Sequence, residues 1–403
     1  MIIGVDGILA GSGRTGMGVM VYEVLRQLSE SDNIEHNYLL FIPESQLCDD
    51  LEALQTNRVQ IVRLPSIPYP VWEQFVLPVL AKRYAVDLFW FPYNTASLAF
   101  TRPSIVTVHD TIYLEGSWLE PPTIKKKVGK LYRRLVVPGA YRRADKIHTV
   151  SAYSRDQIKN TLGVHPNEFS VVPLGARLAE TSLAPESDAT ELGDEFPSEF
   201  ILGYASSEPR KNLRGILESY ETAVQADPTL PPLVLFGHKD FASTEENQWL
   251  LSRPHLKITV LPYISNETKA RLLQNCAIFV FPSLSEGFGL PVVEAFQAGA
   301  PVVTANTTAV AEVAGEAALT VDPSDNAAIA QSIVAVWQDK ELAARLRDLG
   351  LRRAEQFTWT ETGRKLEDVF SEAHLDRNTR RKSDKTRHRF IDRNTWSNVG
   401  SRR

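Results

Sequence analysis

The chain has 403 residues, of which 43% are hydrophobic and 23% charged, and its formal net charge is −5. No apolar run approaches the ~20 residues of a membrane-spanning helix, and two cysteines, Cys48 and Cys276, are too few for a disulfide framework. These features exclude collagen, a disulfide-rich toxin and an integral membrane protein. At ~150 residues per domain, we expect two or three domains. The opening residues, Met1–Asp6, lack a basic leader, so we expect no signal peptide.

Strand-like and helix-like segments alternate from the first residue onward. A first series of strands is predicted at Ile2–Leu9, Asn37–Ile42, Val59–Leu64, Leu88–Phe91, Ser104–Val108 and Lys146–Val150. A second series is predicted at Phe200–Ala205, Leu233–Phe236, Ile258–Leu261, Ala277–Phe281, Pro301–Ala305 and Ala318–Val321. Helices are predicted between the strands, including Gly16–Leu28, Asn212–Ala226, Asn266–Asn275 and Pro291–Gln297. This alternation predicts an α/β fold with parallel sheets that helices cover on both faces.

The two series are separated by residues 181–199, which are rich in Ser, Glu, Asp and Pro and are predicted to be a linker. Each half has the size of one doubly wound domain, so we place a first domain at 1–180 and a second at 200–358. Such sheets bind ligands at the carboxyl ends of their strands. Two facing sheets therefore predict a cleft between the domains.

Basic residues are concentrated at the end of the chain. Residues 377–403 contain ten Lys or Arg against two Asp or Glu, with few apolar side chains. We therefore expect a disordered basic tail over 376–403. The remainder of the chain is mildly acidic, which argues against a nucleic acid as a partner.

A glycine-rich turn follows the first predicted strand. Gly11, Gly13 and Gly16 match the pattern G-x-G-x-x-G, in which glycines let the backbone approach a phosphate and the helix N-terminus favours anions. On its own this pattern favours an NAD(P)-dependent oxidoreductase. That motif expects an acidic residue about 20 residues further on, whereas Glu44 lies farther away, which weakens the interpretation. An ordinary strand-to-helix turn is the alternative.

Two polar pairs follow predicted strands at the edge that faces the cleft. His109 and Asp110 come directly after a strand, where a histidine can donate to a hydroxyl or stabilise charge. Arg210 and Lys211 directly precede a helix. The N-terminus of a helix carries a partial positive charge, so two cations at this position are unfavourable unless an anion compensates them. We therefore expect this second pair to bind an external anion such as a phosphate. A structural His–Asp pair and a solvated basic turn are the alternatives.

The most informative segment runs from Ile278 to Val303. A strand leads through a Gly-rich loop into a helix that is predicted to end at Gly299. Glu286 in the loop and Glu294 one turn into the helix lie at the same cleft-facing end. Two carboxylates so placed can each hold a pair of hydroxyls, while the loop amides at 288–290 can receive phosphate oxygens.

This segment strongly resembles the family 4 retaining glycosyltransferases, through Glu286-x7-Glu294 inside Ser-Glu-Gly-Phe-Gly-Leu-Pro and through Glu-Pro-Arg-Lys-Asn-Leu at 208–213. The resemblance covers residues 1–375 and includes Gly16-Met-Gly18, His109-Asp110, Thr149–Ser154 and Val172–Gly175. It implies the GT-B fold, in which two Rossmann-like domains face each other across a cleft. It also implies that a C-terminal helix, 359–375, returns to the first domain.

The resemblance further implies a role for each motif. Arg210 and Lys211 would neutralise the donor diphosphate as it leaves, and Glu286 would hold the sugar hydroxyls. Glu294 would hold the ribose hydroxyls. His109 would contact the donor sugar near its reacting end. The remaining donor-binding positions would be Gly16, Gly18, Asp110, Gly287, Phe288, Gly289 and Leu290.

The resemblance implies a reaction without an essential metal, and no Asp-x-Asp motif stands at the end of a predicted strand. It implies no cofactor, since a nucleotide-diphosphate sugar is the co-substrate. Breaking the anomeric bond places negative charge on the nucleoside diphosphate, which Arg210 and Lys211 would stabilise. We favour retention by front-face attack, with the leaving phosphate as base. The mannosyltransferase-like members suggest GDP-mannose as the donor. A glycan or lipid-linked acceptor in surface polysaccharide, lipopolysaccharide or glycolipid synthesis would receive the sugar.

A basic segment supports a lipid-linked acceptor. Nine Lys or Arg lie within Ile124–Lys146, where Val128, Leu131 and Leu135 form an apolar stripe at helical spacing. A basic amphipathic helix suits an anionic membrane surface, although a surface helix packed on its own domain is an alternative. We therefore expect a cytoplasmic enzyme that associates peripherally with the inner face of the cell membrane. A catalytically inactive GT-B scaffold protein remains a further alternative, against which the intact cationic pair and both glutamates argue.

Overall fold

The computed structural model describes residues 1–14, 16–31, 35–112, 124–163, 169–178, 196–238, 240–262 and 264–375. Most of the predicted linker at 181–199 and the whole predicted tail at 376–403 lie outside these residues. In the helix that begins at Ile124, side chains are described from Val128 onward.

The described strands form two sheets in which every pairing is parallel. The first has the order β3-β2-β1-β4-β5-β6-β7 and comprises β1 (Ile2–Asp6), β2 (Asn37–Pro43), β3 (Val59–Leu64), β4 (Leu88–Phe91), β5 (Ser104–Val108), β6 (Lys146–Thr149) and β7 (Phe169–Val171). The second has the order β10-β9-β8-β11-β12-β13 and comprises β8 (Ile201–Tyr204), β9 (Leu233–Phe236), β10 (Ile258–Val260), β11 (Ile278–Phe281), β12 (Val302–Ala305) and β13 (Leu319–Val321).

Helices connect most of the successive strands, as is usual for parallel pairing, whereas β4 and β5 are joined by the non-helical loop 92–103. Those of seven residues or more span Gly16–Glu30, Leu77–Arg83, Ile124–Arg143, Ala152–Leu162, Leu213–Ala226, Glu245–Leu251, Asn266–Asn275, Leu290–Ala298, Thr308–Ala314, Asn326–Gln338, Lys340–Ala354 and 359–375. A short turn at Tyr69–Val71 and a π-helical segment at Trp72–Val76 run directly into Leu77–Arg83. Across the described ranges, no helix has both the length and the hydrophobicity needed to cross a membrane.

The predicted fold class, two doubly wound parallel-sheet domains, is confirmed. Each of the predicted strands is present, with ends that differ by a few residues. The sequence reasoning missed β7, whose three residues are all half-buried and so give no hydrophobic pattern. The cysteines are free thiols, as expected.

The strand orders fix where ligands can bind. In each sheet the order reverses direction once, between β1 and β4 in the first and between β8 and β11 in the second. Loops that leave these neighbouring strands diverge to opposite faces and open a crevice at the carboxyl edge. Segments that follow β8 and β11 are therefore brought together at one point.

The helix 359–375 packs on the first sheet although it follows the second in sequence. Phe370 contacts the rings of Tyr38 and Trp90, and the Tyr38 hydroxyl donates to Glu367 Oε1 over 3.0 Å. Before this helix, the backbone N–H of Ala176 donates to the Phe357 carbonyl over 3.0 Å. Buried apolar side chains of both halves form one continuous cluster through this region, which holds the two sheets in a defined arrangement.

Candidate functional site

Arg210, Lys211 and Glu286 meet at the switch point of the second sheet. Lys211 Nζ lies 2.5 Å from Glu286 Oε1, and Arg210 Nη1 lies 2.7 Å from Glu286 Oε2. The hydroxyl of Ser283 also donates to Glu286 Oε1 over 2.8 Å. On the solvent side, Arg210 also pairs with Glu208, and its Nε donates to Glu208 Oε2 over 2.6 Å. The sequence-predicted cations and carboxylate therefore form one ionic cluster.

This cluster is buried, which sets its charge state. Glu286 is 7% exposed and Lys211 8%. Burial alone would raise the pKa of Glu286, but Lys211 and Arg210 beside it bring that pKa below its usual value. Burial likewise opposes the charge on Arg210, whereas Glu286 and Glu208 raise its pKa. These shifts keep both Glu286 and Arg210 ionised at neutral pH, and two basic side chains face the one buried carboxylate.

Local backbone geometry holds the cations in place. Pro209–Lys211 form a 3-10 turn, and Asn212 follows in the left-handed region (φ 58°) as the N-cap of Leu213–Ala226. The Asn212 side chain accepts from the N–H of Gly215 over 3.2 Å, which satisfies a free donor at the helix N-terminus, and donates to the carbonyl of Pro282 over 3.1 Å. Asn212 therefore ties the loop after β8 to the loop after β11.

The Gly-rich loop lies against the first half of the chain. The Gly287 carbonyl accepts from the hydroxyls of Ser151 at 2.9 Å and Ser154 at 3.0 Å. A Cβ on Gly287 would overlap the carbonyl oxygen of His109, so only glycine permits this approach. Phe288 is buried against Phe357. The loop thus joins the two sheets beside the ionic cluster.

The rest of the predicted loop leads into the helix as expected. Gly289 is the residue before the helix Leu290–Ala298, which ends at Gly299 in the left-handed region (φ 73°). Leu290 is the first residue of that helix and is half-buried. The prediction that the amides at 288–290 receive phosphate oxygens stays a prediction.

Glu294 lies one turn into the same helix and is paired with Lys269. Lys269 Nζ lies 2.7 Å from Glu294 Oε1, and both side chains remain about one-fifth exposed. Lys269 belongs to the helix Asn266–Asn275, after β10. Sequence reasoning missed this lysine, because only the packing of two helices makes the pair. The sequence offered only one indication of this pair, a lysine one turn into the predicted helix Asn266–Asn275.

His109 and Asp110, at the carboxyl end of β5, lie against the Gly-rich loop at Gly287. The His109 N–H donates to Asn94 Oδ1 over 2.7 Å, and its ring Nε2 lies 3.0 Å from the Pro92 carbonyl. Because that carbonyl can only accept, Nε2 carries the proton. Burial lowers the pKa of His109 to about 4, so the ring is neutral at pH 7. The sequence predicted that His109 donates to a hydroxyl or stabilises charge. In this neutral tautomer the N–H is bound to Pro92, so the remaining Nδ1 can only accept a hydrogen bond from a hydroxyl.

Asp110 interacts electrostatically with charged residues of the second half, above all with Arg210. Burial raises the pKa of Asp110, and the nearby charge of Arg210 opposes that rise. Its Oδ1 accepts from the N–H of Ile112 over 3.2 Å. The first-half pair and the second-half cations are therefore close enough to influence each other.

The Gly11–Gly18 turn has a packing explanation. A Cβ on Gly11 would overlap the carbonyl of Gln46, and a Cβ on Gly18 would overlap that of Leu9. Gly16, by contrast, begins its helix with open space around its Cβ position. The requirement for glycine at 11 and 18 thus arises from contact with the protein's own backbone, so the first glycine of the G-x-G-x-x-G pattern is explained without a bound dinucleotide.

Two further residues that contact the opposite half had no assigned role in the sequence. Glu312, on Thr308–Ala314, accepts from the backbone N–H groups of Ala152 and Tyr153 over 3.0 and 2.9 Å. It caps the N-terminus of Ala152–Leu162 from the other half of the chain. Ser151, which the sequence analysis only quoted within a motif, is the local N-cap of that helix.

Comparison with protein families assigns both halves. Residues 14–180 match Glycosyltransferase Family 4, and residues 191–352 match Glycosyl transferases group 1. Together, these two matches cover most of the chain.

Individual proteins support the same assignment. O-antigen chain mannosyltransferase B of Escherichia coli is 33% identical over 233 residues, 54% of this chain and 58% of that protein. O-antigen chain mannosyltransferase RfbU of Salmonella typhimurium is 23% identical over 83% of this chain and 92% of its own length. Anabaena HepE, solved in complex with UDP-glucose, has a TM-score of 0.66 at 17% identity and covers 92% of this chain and 100% of its own. At that identity, HepE supports the fold alone.

Proposed function

Because this chain belongs to the family 4 glycosyltransferases, with a group 1 domain as its second half, we propose that it is a retaining hexosyltransferase. It moves a sugar from a nucleotide-diphosphate sugar to a glycan or lipid-linked acceptor in surface polysaccharide or glycolipid synthesis. The observation that carries the proposal is the cluster of Arg210, Lys211 and Glu286 beside His109.

The cluster suits a diphosphate leaving group. Arg210 and Lys211 are charged and largely shielded from water, where a positive charge stabilises a developing anion more strongly than in solvent. A bound diphosphate competes with Glu286 for these cations. Glu286 can then offer a carboxylate oxygen to the sugar hydroxyls. Because these cations supply the positive charge, we propose that transfer needs no metal ion, and we expect activity to persist in EDTA.

On the acceptor side, we propose that the neutral imidazole of His109 lies next to the reacting centre. The protonated Nε2 of His109 is occupied by Pro92, so Nδ1 is left as a hydrogen-bond acceptor for a hydroxyl. Retention by front-face attack then uses the leaving phosphate as the base, because a ring whose pKa burial lowers to about 4 is a weak proton acceptor. Product stereochemistry by NMR tests this step.

We propose mannose as the transferred sugar and GDP-mannose as the donor. The support is that two similar proteins, O-antigen chain mannosyltransferase B and RfbU, are named for mannosyl transfer. The test is a thermal-shift comparison of GDP, UDP, GDP-mannose and UDP-glucose with the purified chain. A ligand at 100 times its Kd stabilises the native state by about 2.7 kcal/mol.

We expect GDP and GDP-mannose to raise the Tm of the wild type and to have little effect on Lys211→Met. Larger stabilisation by UDP-glucose would replace the proposed donor while keeping the proposed reaction. If no nucleoside diphosphate stabilised the chain and no sugar were transferred, the function itself would be wrong.

We also propose that the protein is peripheral on the inner face of the cell membrane, through the basic helix Ile124–Arg143. The support is its outward stripe of Val128, Leu131 and Leu135, which are 59–70% exposed, while other side chains of the helix pack on the domain. Neutralising Lys125, Lys126, Lys127, Arg133 and Arg134 is expected to weaken binding to anionic vesicles. A chain that ends at Asp376 controls for the basic tail.

A further inference from the structure

The loop that joins β4 to β5 is largely buried although it has no regular secondary structure. It spans residues 92–103, and every residue from 92 to 97 is buried. Irregular loops usually run over the surface, because their backbone N–H and C=O groups need water or another hydrogen-bond partner. This loop must therefore find its partners in the elements around it.

The same loop holds His109. The His109 ring bonds to the Pro92 carbonyl, and its backbone N–H donates to Asn94 Oδ1 over 2.7 Å. Asn94 lies in the left-handed region (φ 63°), which residues other than glycine rarely adopt. Its N–H donates to the Thr107 carbonyl over 3.0 Å, and its own carbonyl accepts from the Tyr141 hydroxyl over 2.9 Å. A shift of this loop would therefore move His109.

Gln74 binds the next three residues of the loop. Its Oε1 accepts from the backbone N–H of Leu98 over 2.8 Å, and its Nε2 donates to the Ala96 carbonyl over 3.3 Å. Its backbone carbonyl accepts from the Ser97 hydroxyl over 3.2 Å. Gln74 lies in the π-helical segment Trp72–Val76, and such segments are frequent at functional sites. One side-chain amide thus supplies the pairing that a neighbouring strand would otherwise provide.

A buried hydrogen-bond network fixes the orientation of this amide. Gln74 Nε2 lies 2.8 Å from Glu73 Oε2 and 2.9 Å from the Tyr132 hydroxyl. The Tyr132 hydroxyl also donates to the same oxygen of Glu73, which is fully buried. Because Glu73 Oε2 accepts here, the amide must place its nitrogen toward Glu73 and its oxygen toward the loop N–H. Glu73 therefore orients Gln74.

The other oxygen of Glu73 carries a proton. Glu73 Oε1 and the hydroxyl oxygens of Tyr69 and Thr95 contact one another in pairs, with Tyr69 2.8 Å from Oε1 and 2.7 Å from Thr95. Three such contacts need three hydrogens, and the two hydroxyls supply only two. Burial also raises the pKa of Glu73. The third hydrogen is then that of a neutral carboxyl group.

We propose that Gln74 is a positioning residue for His109, which it holds through the loop 92–98, and that a neutral Glu73 orients its amide. This inference rests on the proposed function, because the position of His109 affects turnover only if its ring meets a substrate hydroxyl. Arg210 and Lys211 lie on the second half, so the affinity for the donor is expected to be independent of Gln74.

The first test is the kinetics of Gln74→Leu with a soluble acceptor. We expect kcat to fall at least tenfold and the donor KM to change less than twofold, because a displacement of about 1 Å near the reacting centre can cost 10²-fold. In a His109→Ala background the same change should lower kcat less than twofold, since a residue that acts through His109 has no further effect without it. Gln60→Leu, exposed on β3, is the matched control and should leave kcat unchanged. A tenfold loss in both backgrounds would contradict action through His109.

Glu73 is tested by two substitutions of similar size. Glu73→Gln keeps a neutral polar group, so we expect it to retain the wild-type Tm and kcat within about twofold. Glu73→Leu leaves the amide of Gln74 without its buried acceptor and should lose kcat as Gln74→Leu does. A loss in Glu73→Gln as large as in Glu73→Leu would overturn the role of a neutral Glu73, even if the leucine variant failed to fold.

The ¹⁵N signals of the His109 ring report on the loop without any substrate, and their absence in His109→Ala assigns them. We expect the wild type to show the tautomer protonated at Nε2 and Gln74→Leu to show shifted signals from a mixture of tautomers. Identical ring signals in the two proteins would overturn the inference, whether or not the chain transfers sugar. The expected spectral change in a wild type that transfers no sugar would reject the proposed function and keep the positioning by Gln74.

Discussion

The Ser151 hydroxyl donates to the Gly287 carbonyl over 2.9 Å and so connects the first half of the chain to the Gly-rich loop of the second. At the same place a Cβ on Gly287 would overlap the carbonyl of His109. The two halves can approach this closely only because position 287 has no side chain.

Gly287→Ala is therefore expected to lower kcat/KM at least tenfold, because a displacement of about 1 Å near the reacting centre can cost 10²-fold. The matched control is Gly363→Ala, whose Cβ would lie 3.4 Å from Gln27 in ordinary contact. Steady-state kinetics of both variants check the prediction. Full activity in Gly287→Ala would mean that this approach of the halves is not needed for turnover.

Lys211 and Glu286 provide a second prediction, on stability and activity together. Removing one member of a buried ion pair is costly, typically ~3–5 kcal/mol. Because Arg210 still compensates Glu286, we expect Lys211→Met to lower the free energy of unfolding by about 2 kcal/mol. Transfer should fall ~10²-fold or more from loss of leaving-group stabilisation.

The double variant Lys211→Met/Glu286→Gln separates these effects. Glutamine carries no charge and can still accept from Ser283, so urea denaturation should recover most of the lost stability. Transfer should stay as low as in Lys211→Met. Recovery of turnover together with stability would contradict a chemical role for the lysine.

The donor cluster could be predicted from sequence because parallel strands carry their loops to one edge. Arg210 follows β8 and Glu286 follows β11, and a doubly wound sheet makes those strands neighbours. The direct ion pairs were not foreseen, since the sequence assigned Glu286 to sugar hydroxyls. Pairing depends on side-chain rotamers and burial that strand order does not determine.

Contacts between the halves lay beyond sequence reasoning. Glu312 caps a helix about 160 residues away along the chain, and no local pattern distinguishes it from any exposed glutamate. The exposed apolar residues Val71, Phe75 and Val79 were missed for a different reason. Apolar residues four positions apart predict the buried face of a helix, and only the packing of Trp72 on the domain shows that this face points outward.

Asp6 provides a prediction on pH. Burial raises the pKa of Asp6 to about 7, although Trp72 donates to its carboxylate. An unfolded aspartate has a pKa of about 4, so between pH 4 and 7 the unfolded state has released a proton that the folded state retains. The stability from this group is complete below pH 4 and falls as pH rises through about 7.

Asp6→Asn keeps an oxygen for Trp72 and cannot ionise. We expect its free energy of unfolding to exceed that of the wild type by an amount that grows from pH 4 to 7 and then levels, reaching ~1–4 kcal/mol. Urea denaturation at several pH values measures the difference. Parallel stability curves would show that Asp6 does not titrate in this window.

The final prediction concerns Lys269 and Glu294, whose Nζ and Oε1 atoms lie 2.7 Å apart. With one carboxylate oxygen held by lysine, we expect the other to accept from the ribose hydroxyls that the family resemblance implies. Glu294→Ala should cut transfer ~10²-fold or more through lost positioning. Lys269→Met should leave the carboxylate in place but less ordered, so we expect the donor KM to rise about tenfold with kcat changed less than twofold. Lys269→Arg should restore the KM because its guanidinium can make the same contact, and Lys257→Met, an exposed lysine before β10, should leave it unchanged. Equal losses in kcat and kcat/KM for Lys269→Met, or no recovery with arginine, would show that the lysine does not act by positioning Glu294.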